Sequence, residues 1–403
     1  MKVSTYRAEA FMQAAKRLDI EVVPGLDLPP QLAGQWPAAL AMQFDRPEAA
    51  VQTILDFSRD KPIQAIISVD DSATLIAAAA SEKLGLAHNP PEAAVAARNK
   101  FVMRQLLAQA GVPVPKFKLF EATADPAEVA GQVAFPCVVK PLLLSGSRGV
   151  IRADNPAQFA AAFQRLARLL ATFQEAPGSR QILVEDYIPG VEVAVEGILD
   201  QGQLQLLALF DKPDPLEGPF FEETIYVTPS RLLAEVQQAI AGCTAQAALA
   251  LGLKQGPVHA ELRINEVGPW LVEVAGRSIG GLCSNTLRFG PEVLLETLIL
   301  RQAVGLELNW QPEAVARGVM MIPIPEAGLL SGVRGLAEAE AVPGIETIEI
   351  TAKINYPLQP LPEGESYLGF IFSQAETPAA AEAALREAHR HLQFDIKPML
   401  PLW

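Results

Sequence analysis

Charge, aromatic rings and cysteine are all scarce in this chain. Of its 403 residues 19% are Asp, Glu, Lys or Arg, 6% are aromatic, and only three are cysteines. Cys137, Cys243 and Cys283 are odd in number and far apart, which excludes a disulfide framework and a C-x-x-C metal site and leaves buried free thiols. Positive charge is in deficit: 32 Lys and Arg against 46 Asp and Glu give a formal charge of −14, so nucleic acid is not an expected partner and a small molecule is. Half of the residues are hydrophobic, yet no apolar run reaches the length of a bilayer helix, and no membrane span is expected. The stretch Met1 to Glu9 lacks the basic start and apolar core of a secretory signal, which places the protein in the cytosol. No G-x-x-x-x-G-K-[ST] loop occurs. With four histidines and no convincing Ser-His-Asp or Cys-His arrangement, a covalent enzyme nucleophile is not expected either.

What is present has a clear order. The length exceeds one compact core and predicts two or three domains. From Tyr6 to about Leu86 helical and strand-like pieces alternate: Ala8–Leu18 amphipathic, Ile20–Val23 extended, Pro47–Ser58 helical, Pro62–Val69 a buried strand and, after Asp70-Asp71, Ala73–Leu84 helical. This predicts a small parallel α/β unit, one strand short because Met1-Lys2-Val3 is hardly long enough to precede the first helix. Pro91 opens a helical pattern to Ala110 that Gly111, Pro113 and Pro115 close. An α+β pattern follows, with strands at Cys137–Lys140, Ile182–Asp186 and Glu192–Leu199, a helix over Pro156–Phe173, and a long helix over Ser230–Leu251. Two short strands flank Asn265–Pro269, and a helix runs from Pro291 to Val304. From about Gly305, short strands, prolines and one alanine-rich helix (Pro378–His391) predict a C-terminal α+β lobe.

Three constellations carry chemistry. In the first, a hairpin centred on Val267 would set Glu261 opposite Glu273, with Cβ atoms about 5 Å apart. Like charges so placed need a cation between them: a divalent ion with hard-oxygen preference such as Mg²⁺, or else Arg263 or Arg277. His259 shares the face of Glu261 and reads as a structural hydrogen-bonder. In the second, the apolar strand ending in Lys140 leads into Ser145-Gly146-Ser147-Arg148-Gly149-Val150, a loop suited to an anion or to a plain hairpin connection. Lys100, with Arg104 one helical turn on, reads by itself as a solvated stripe. In the third, Glu185-Asp186-Tyr187-Ile188-Pro189-Gly190-Val191-Glu192 turns between two strands, where free backbone groups and carboxylates suit a nucleoside or form an acidic hairpin.

Taken in order, Lys100, Val138-Val139-Lys140-Pro141, the Ser145–Val150 loop, Glu185 with Glu192, and Glu261 and Glu273 with Arg277 resemble the ATP-grasp superfamily. Within it the chain is most similar to the amino-acid ligases that join amino acids into dipeptides. The resemblance implies an ATP-grasp fold of mixed α/β and α+β class. Its parts are an N-terminal parallel α/β (pre-ATP-grasp) domain over 1–95, a central two-lobed ATP-grasp body over 96–305 with a small lid lobe at about 113–190, and a biotin-carboxylase-like C-terminal α+β lobe over 306–403. It implies ATP and Mg²⁺ as cofactors and small carboxylate and amine substrates, and a homodimer is the default assembly.

It further implies roles. Lys100 and Lys140 bind ATP phosphates under a lid made by Ser145, Gly146, Ser147 and Gly149. Glu185 and the backbone of Tyr187 and Ile188 hold adenine, and Glu192 holds ribose. Glu261 and Glu273 hold Mg²⁺, and Lys212 reaches the γ-phosphate. Arg277, just before Gly280 and Gly281, stabilises the transferring phosphoryl and the acyl phosphate. Glu223 receives the substrate ammonium. One departure is Ala275, where the E-x-N-x-R pattern of the superfamily has an amide ligand, so a second metal ion lacks its usual oxygen. The implied reaction is ATP-dependent activation of a small carboxylate and its ligation to an amine. A bicarbonate-activating carboxylase and a catalytically silent ATP-binding sensor are the alternatives.

Overall fold

The computed structural model describes residues 7–35, 38–173, 178, 180–290, 292–311 and 313–399. On the N-terminal side α1 (Ala8–Arg17), β1 (Gly25–Asp27), β2 (Leu40–Met42), α2 (Pro47–Asp60) and α3 (Thr74–Leu84) follow in turn. β1 and β2 pair in parallel, over a small core of Met42, Val51, Ile54 and Ile76. The runs Ile20–Val23 and Pro62–Val69, expected as extended and as a buried strand, belong to no strand. Apolar content alone does not make a strand; a ladder partner does, and none of the described residues pairs with either run. Met1-Lys2-Val3 lies outside the described residues.

The helical pattern expected to run unbroken from Pro91 to Ala110 is two helices, α4 (Pro91–Arg98) and α5 (Lys100–Gln109). Asn99 between them has extended backbone (φ −90°, ψ 106°), and its side chain accepts from the N–H groups of Phe101 and Val102. It therefore stops one helix and caps the next, which sets Lys100 in the first turn of α5.

β3 (Phe117–Glu121), α6 (Pro126–Ala130), β4 (Cys137–Pro141), β5 (Ile151–Ala153), α7 (Pro156–Ala171) and β6 (Gln181–Asp186) form a small α+β lobe, the segment expected as a lid. Its four strands lie in the order β3-β6-β4-β5. α7 buries Phe159, Phe163, Leu166 and Leu170 against Val139, Ile182 and Val184, one apolar stripe on one sheet face.

The body continues with β7 (Val191–Asp200), β8 (Gln203–Lys212), β9 (Ile225–Thr228), α8 (Ala234–Ala250), β10 (Gly256–Asn265), β11 (Gly268–Ala275) and α9 (Leu295–Ala303). α8 starts at Ala234, later than the expected Ser230, whose hydroxyl donates to Asp211. Pro291, the expected start of α9, lies outside the described residues. The C-terminal lobe adds β12 (Ala316–Ile322), β13 (Gly328–Arg334), α10 (Leu336–Glu340), β14 (Ile345–Ile350), β15 (Pro357–Leu358), β16 (Gly369–Ala375), α11 (Pro378–His391) and β17 (Gln393–Lys397). One eight-stranded sheet, β11-β10-β7-β8-β9-β12-β16-β14, runs through body and lobe, joined where β9 pairs with β12. A separate three-stranded sheet, β15-β13-β17, completes the lobe. The three cysteines are buried and unpaired. No helix among the described residues is long and apolar enough to cross a membrane.

The strand alternation in this sheet decides where the chemistry sits. Val193 and Val195 on β7 and Val258, Ala260 and Leu262 on β10 face the core beneath α5 and α8. The intervening Glu192, Glu196, His259, Glu261 and Arg263 therefore all project from the opposite face, because side chains alternate with period two. Gly190 sets the entry to β7: its φ is +124°, and a Cβ there would stand 2.2 Å from the carbonyl oxygen of Ile264. Gly190→Ala is expected to cost about 1–3 kcal/mol through forced backbone strain, read as a lower urea midpoint. An unchanged midpoint would contradict the close approach.

Candidate active site

Lys140 is the next-to-last residue of β4, and burial lowers its pKa, an effect the neighbouring Glu185 only partly offsets. Its Nζ lies 2.6 Å from Glu185 Oε2. Arg104 donates from Nε to Glu185 Oε1 at 2.6 Å and from Nη2 to the Val272 carbonyl at 2.6 Å. The carboxyl of Glu185 is buried, which opposes its charge, yet the two cations hold it down at about 2. The solvated stripe expected as one reading of Lys100 and Arg104 is thus absent, since both are buried. Each has an inward-facing anion to satisfy. Lys100 Nζ donates to the Leu144 carbonyl at 2.9 Å and to Glu273 Oε1 at 3.3 Å, linking the glycine loop to the acidic strand.

The β10–β11 hairpin pairs Glu261 with Glu273 directly. It does so by a different route from the expected one: the turn is centred between Glu266 and Val267, and a bulge after Glu261 shifts the register to bring the glutamates opposite. Each carboxylate takes its own lysine, Glu261 from Lys212 at 3.1 Å and Glu273 from Lys100 at 3.3 Å. Neither arginine expected as neutraliser serves that purpose. Arg263 donates to Glu192 at 3.0 Å, to the Tyr187 hydroxyl and Ile188 carbonyl at 2.9 Å, and to the Leu216 carbonyl. Arg277 pairs with Asp71 Oδ2 at 2.8 Å. That contact raises the guanidinium pKa against the effect of burial.

Lys212 is a hub below the floor of the cleft. Its ammonium lies 2.9 Å from Glu192, 2.6 Å from Glu223 and 3.1 Å from Glu261, and 4.9 Å from the ring centroid of Tyr226. Oxygens of those three carboxylates all lie within 4.8 Å of one another. Hard, anionic and closely spaced, this donor set fits Mg²⁺, and the lysine ammonium marks where positive charge is favoured. Burial opposes the charge on Glu261, but Lys212 and His259 outweigh it and hold the carboxyl down at about 2, so it is ionised at neutral pH.

At the turn between β6 and β7, Arg152 lies 4.1 Å from the ring centroid of Tyr187 and Arg263 5.1 Å from it. The Tyr187 N–H donates to the Pro136 carbonyl, and the Ile188 carbonyl accepts from Arg263. Glu192 is engaged by Arg263 and Lys212. Before β9, Glu223 accepts from Lys212 and from the Tyr226 hydroxyl, each at 2.6 Å. The lid is clasped by residues 361–365 of the C-terminal lobe: Gly149 N–H donates to Pro362, Arg165 binds Glu363 at 2.6 and 2.8 Å, and Arg148 binds Glu365 at 3.0 Å.

One cleft of about 280 Å³ is lined by Lys100, Lys140, Ser145, Gly146, Ser147, Glu185, Tyr187, Ile188, Glu192, Glu223, Glu261, Glu273, Arg277, Gly280 and Gly281. Gly149 and Lys212 fall outside that lining; Gly149 turns its Cα toward Leu166 and Leu169 instead. Arg104, Arg263, His259 and Tyr226 also line the cleft. Sequence reading gave none of them a role in binding, although strand alternation with Glu261 and Glu192 pointed to His259 and Arg263.

Residues 133–286 match the ATP-grasp domain, residues 12–88 the ATP-grasp N-terminal domain, and residues 320–397 the L-amino acid ligase C-terminal domain 2. The fold resembles the crystal structure of L-amino acid ligase from Bacillus licheniformis with a TM-score of 0.80 and 25% identity, covering 96% of this chain and 95% of that one. Among curated sequences, the uncharacterized protein y4rH of Sinorhizobium fredii is 26% identical over 77% of this chain and 64% of its own length. Carnosine synthase 1 of Gallus gallus is 29% identical over 65% of this chain and 30% of its own. The chain thus spans less than two thirds of the length of either relative. With its matched segments in the order of one architecture and a structural likeness along nearly its whole length, the chain belongs to the ATP-grasp superfamily and carries the C-terminal domain of its L-amino acid ligases.

Proposed function

We propose that the protein is a cytosolic ATP- and Mg²⁺-dependent ligase that activates a small carboxylic acid of the amino-acid class as an acyl phosphate and joins it to an amine, releasing ADP and phosphate. The observation that supports it best is the convergence of Lys100, Lys140, the Ser145–Ser147 loop, Glu261, Glu273 and Arg277 on one cleft. Likeness to an L-amino acid ligase over 96% of the chain supports the same reading.

In this reading the acid's carboxylate oxygen attacks the γ-phosphorus of ATP and the bond to the β–γ bridging oxygen breaks, leaving ADP. The amine then attacks the acyl carbonyl, inorganic phosphate departs, and the amine proton is lost. Phosphoryl transfer of this kind is governed by positioning and charge neutralisation, which the chain supplies from several elements. Lys100 and Lys140 carry charge to the phosphates, and the glycine loop covers them. Arg277, held by Asp71, presents its guanidinium beside Gly280 and Gly281, where the acyl phosphate forms. Glu223 takes the substrate ammonium. Glu261 and Glu273 hold Mg²⁺, whose bound form neutralises phosphate charge. Ala275 is buried and supplies no oxygen, while Glu192 stands close enough to Glu261 to supply another.

Two results are expected. Glu273→Gln and Arg277→Ala should each lower phosphate release by at least about 100-fold, the scale of losing one transition-state charge contact, with melting temperatures near that of the parent protein. A phosphate-release screen over pairs of amino acids with ATP and Mg²⁺ measures this, and full activity in either variant refutes the assignment. Stripping divalent ions with a chelator should abolish release, and added Mg²⁺ should restore it; turnover that persists without metal would contradict the role of Glu261 and Glu273.

A further inference from the structure

Behind the acidic pair lies a second layer of side chains. Glu196 on β7 is fully buried at 0% exposure, and His259 stands directly across from it on β10. Glu196 Oε1 accepts from His259 Nδ1 at 2.8 Å and from the Ile279 N–H at 2.7 Å. Its Oε2 has no partner among the described residues. On the far side of the ring, His259 Nε2 is 3.6 Å from Glu261 Oε1, in ion-pair range. The imidazole thus stands between two carboxylates, one facing each ring nitrogen.

A wholly buried carboxylate with one unsatisfied oxygen is a poor way to stabilise a sheet, since apolar residues of similar volume commonly do as well. Its geometry accounts for it better. The Ile279 amide belongs to the segment that leads from Arg277 to Gly280 and Gly281. The neighbouring Ser278 is pinned separately, its hydroxyl accepting from Arg7 at 2.8 Å. One oxygen of Glu196 thus touches both the imidazole behind Glu261 and the backbone that follows Arg277.

We propose that Glu196 and His259 are positioning residues: Glu196 orients the imidazole, His259 aims the Glu261 carboxylate at the divalent cation, and the shared contact to Ile279 couples that carboxylate to the Arg277–Gly281 loop. The inference rests on the ligase reading, in which Glu261 is a cation ligand. Partners placed behind metal ligands in this way typically change metal affinity or activity by roughly 10–100-fold when removed.

The test titrates Mn²⁺ into the full chain in the presence of ADP, followed by electron paramagnetic resonance, in parallel with ADP binding without metal. His259→Asn keeps a donor toward Glu196 and removes the one toward Glu261. It is expected to weaken Mn²⁺ binding about tenfold or more, with metal-free ADP binding unchanged. Glu196→Ala should weaken Mn²⁺ binding similarly and also raise KM for the amino-acid pair that releases phosphate in the parent protein, which His259→Asn should not. Should Glu196→Ala fail to fold, Glu196→Gln, which keeps the volume and the Ile279 bond, should weaken Mn²⁺ binding without the KM effect. Parental Mn²⁺ affinity in His259→Asn overturns the proposal, as does an equal loss of Mn²⁺ and metal-free ADP binding. Absence of an ADP-dependent Mn²⁺ site in the parent protein overturns the ligase reading together with it; a parent that binds and variants that bind equally well overturn the positioning role alone.

Discussion

Carboxylates crowded on one face of a sheet must be neutralised, and most of the site follows from that constraint. Glu192, Glu196, Glu261 and Glu273 project from neighbouring strands β7, β10 and β11, and Glu223 joins them from the segment before β9. Like charges at cross-strand distance are destabilising. Each acid therefore meets a cation, some of them shared: Lys212 serves Glu192, Glu223 and Glu261, Arg263 also serves Glu192, His259 serves Glu196 and Lys100 serves Glu273. Removing one of these cations would leave a buried charge uncompensated, a loss of roughly 3–5 kcal/mol.

The neutralising groups come from different parts of the chain, which makes the cleft a junction. Lys100 arrives from the break between α4 and α5, and its two bonds join the glycine loop to β11. Arg277 reaches back to Asp71 in the N-terminal region. Lys140 and Arg104 meet at Glu185, joining β4 of the lid lobe to α5. Charge compensation and domain assembly are thus one set of contacts, and the groups suited to phosphate and metal are held by neighbours that packing already fixes.

How much of this was legible in the sequence depends on which kind of signal was read. Short apolar runs made β4 and β6 visible, and period-two alternation made visible the shared face of His259 and Glu261 on β10. The opposition of Glu261 and Glu273 was also readable, although from a symmetrical turn; the bulge that creates it leaves no compositional trace. Local patterns failed where a distant partner decides. Pro62–Val69 has the composition of a strand and lacks a ladder. Asn99 looks like an ordinary helical position, yet its capping bonds split the helix and turn Lys100 inward. Arg104 reads as a surface cation until Glu185, 81 positions away, is placed beside it. Long-range charge partners are set by tertiary packing, to which no short window of sequence has access.

The clasp over the glycine loop follows a different rule from the floor beneath it. Below, the pairs are buried and shielded from solvent, so they hold their geometry. Above, Arg165 and Glu363 are 41% and 31% exposed and Arg148 and Glu365 20% and 61%. Pairs as open as these contribute on the order of 1 kcal/mol or less each and weaken with salt. A floor of buried charge under a cover of exposed charge gives the two sides of the cleft different footing: the groups below are fixed by packing, while the loop above is held by pairs that contribute little.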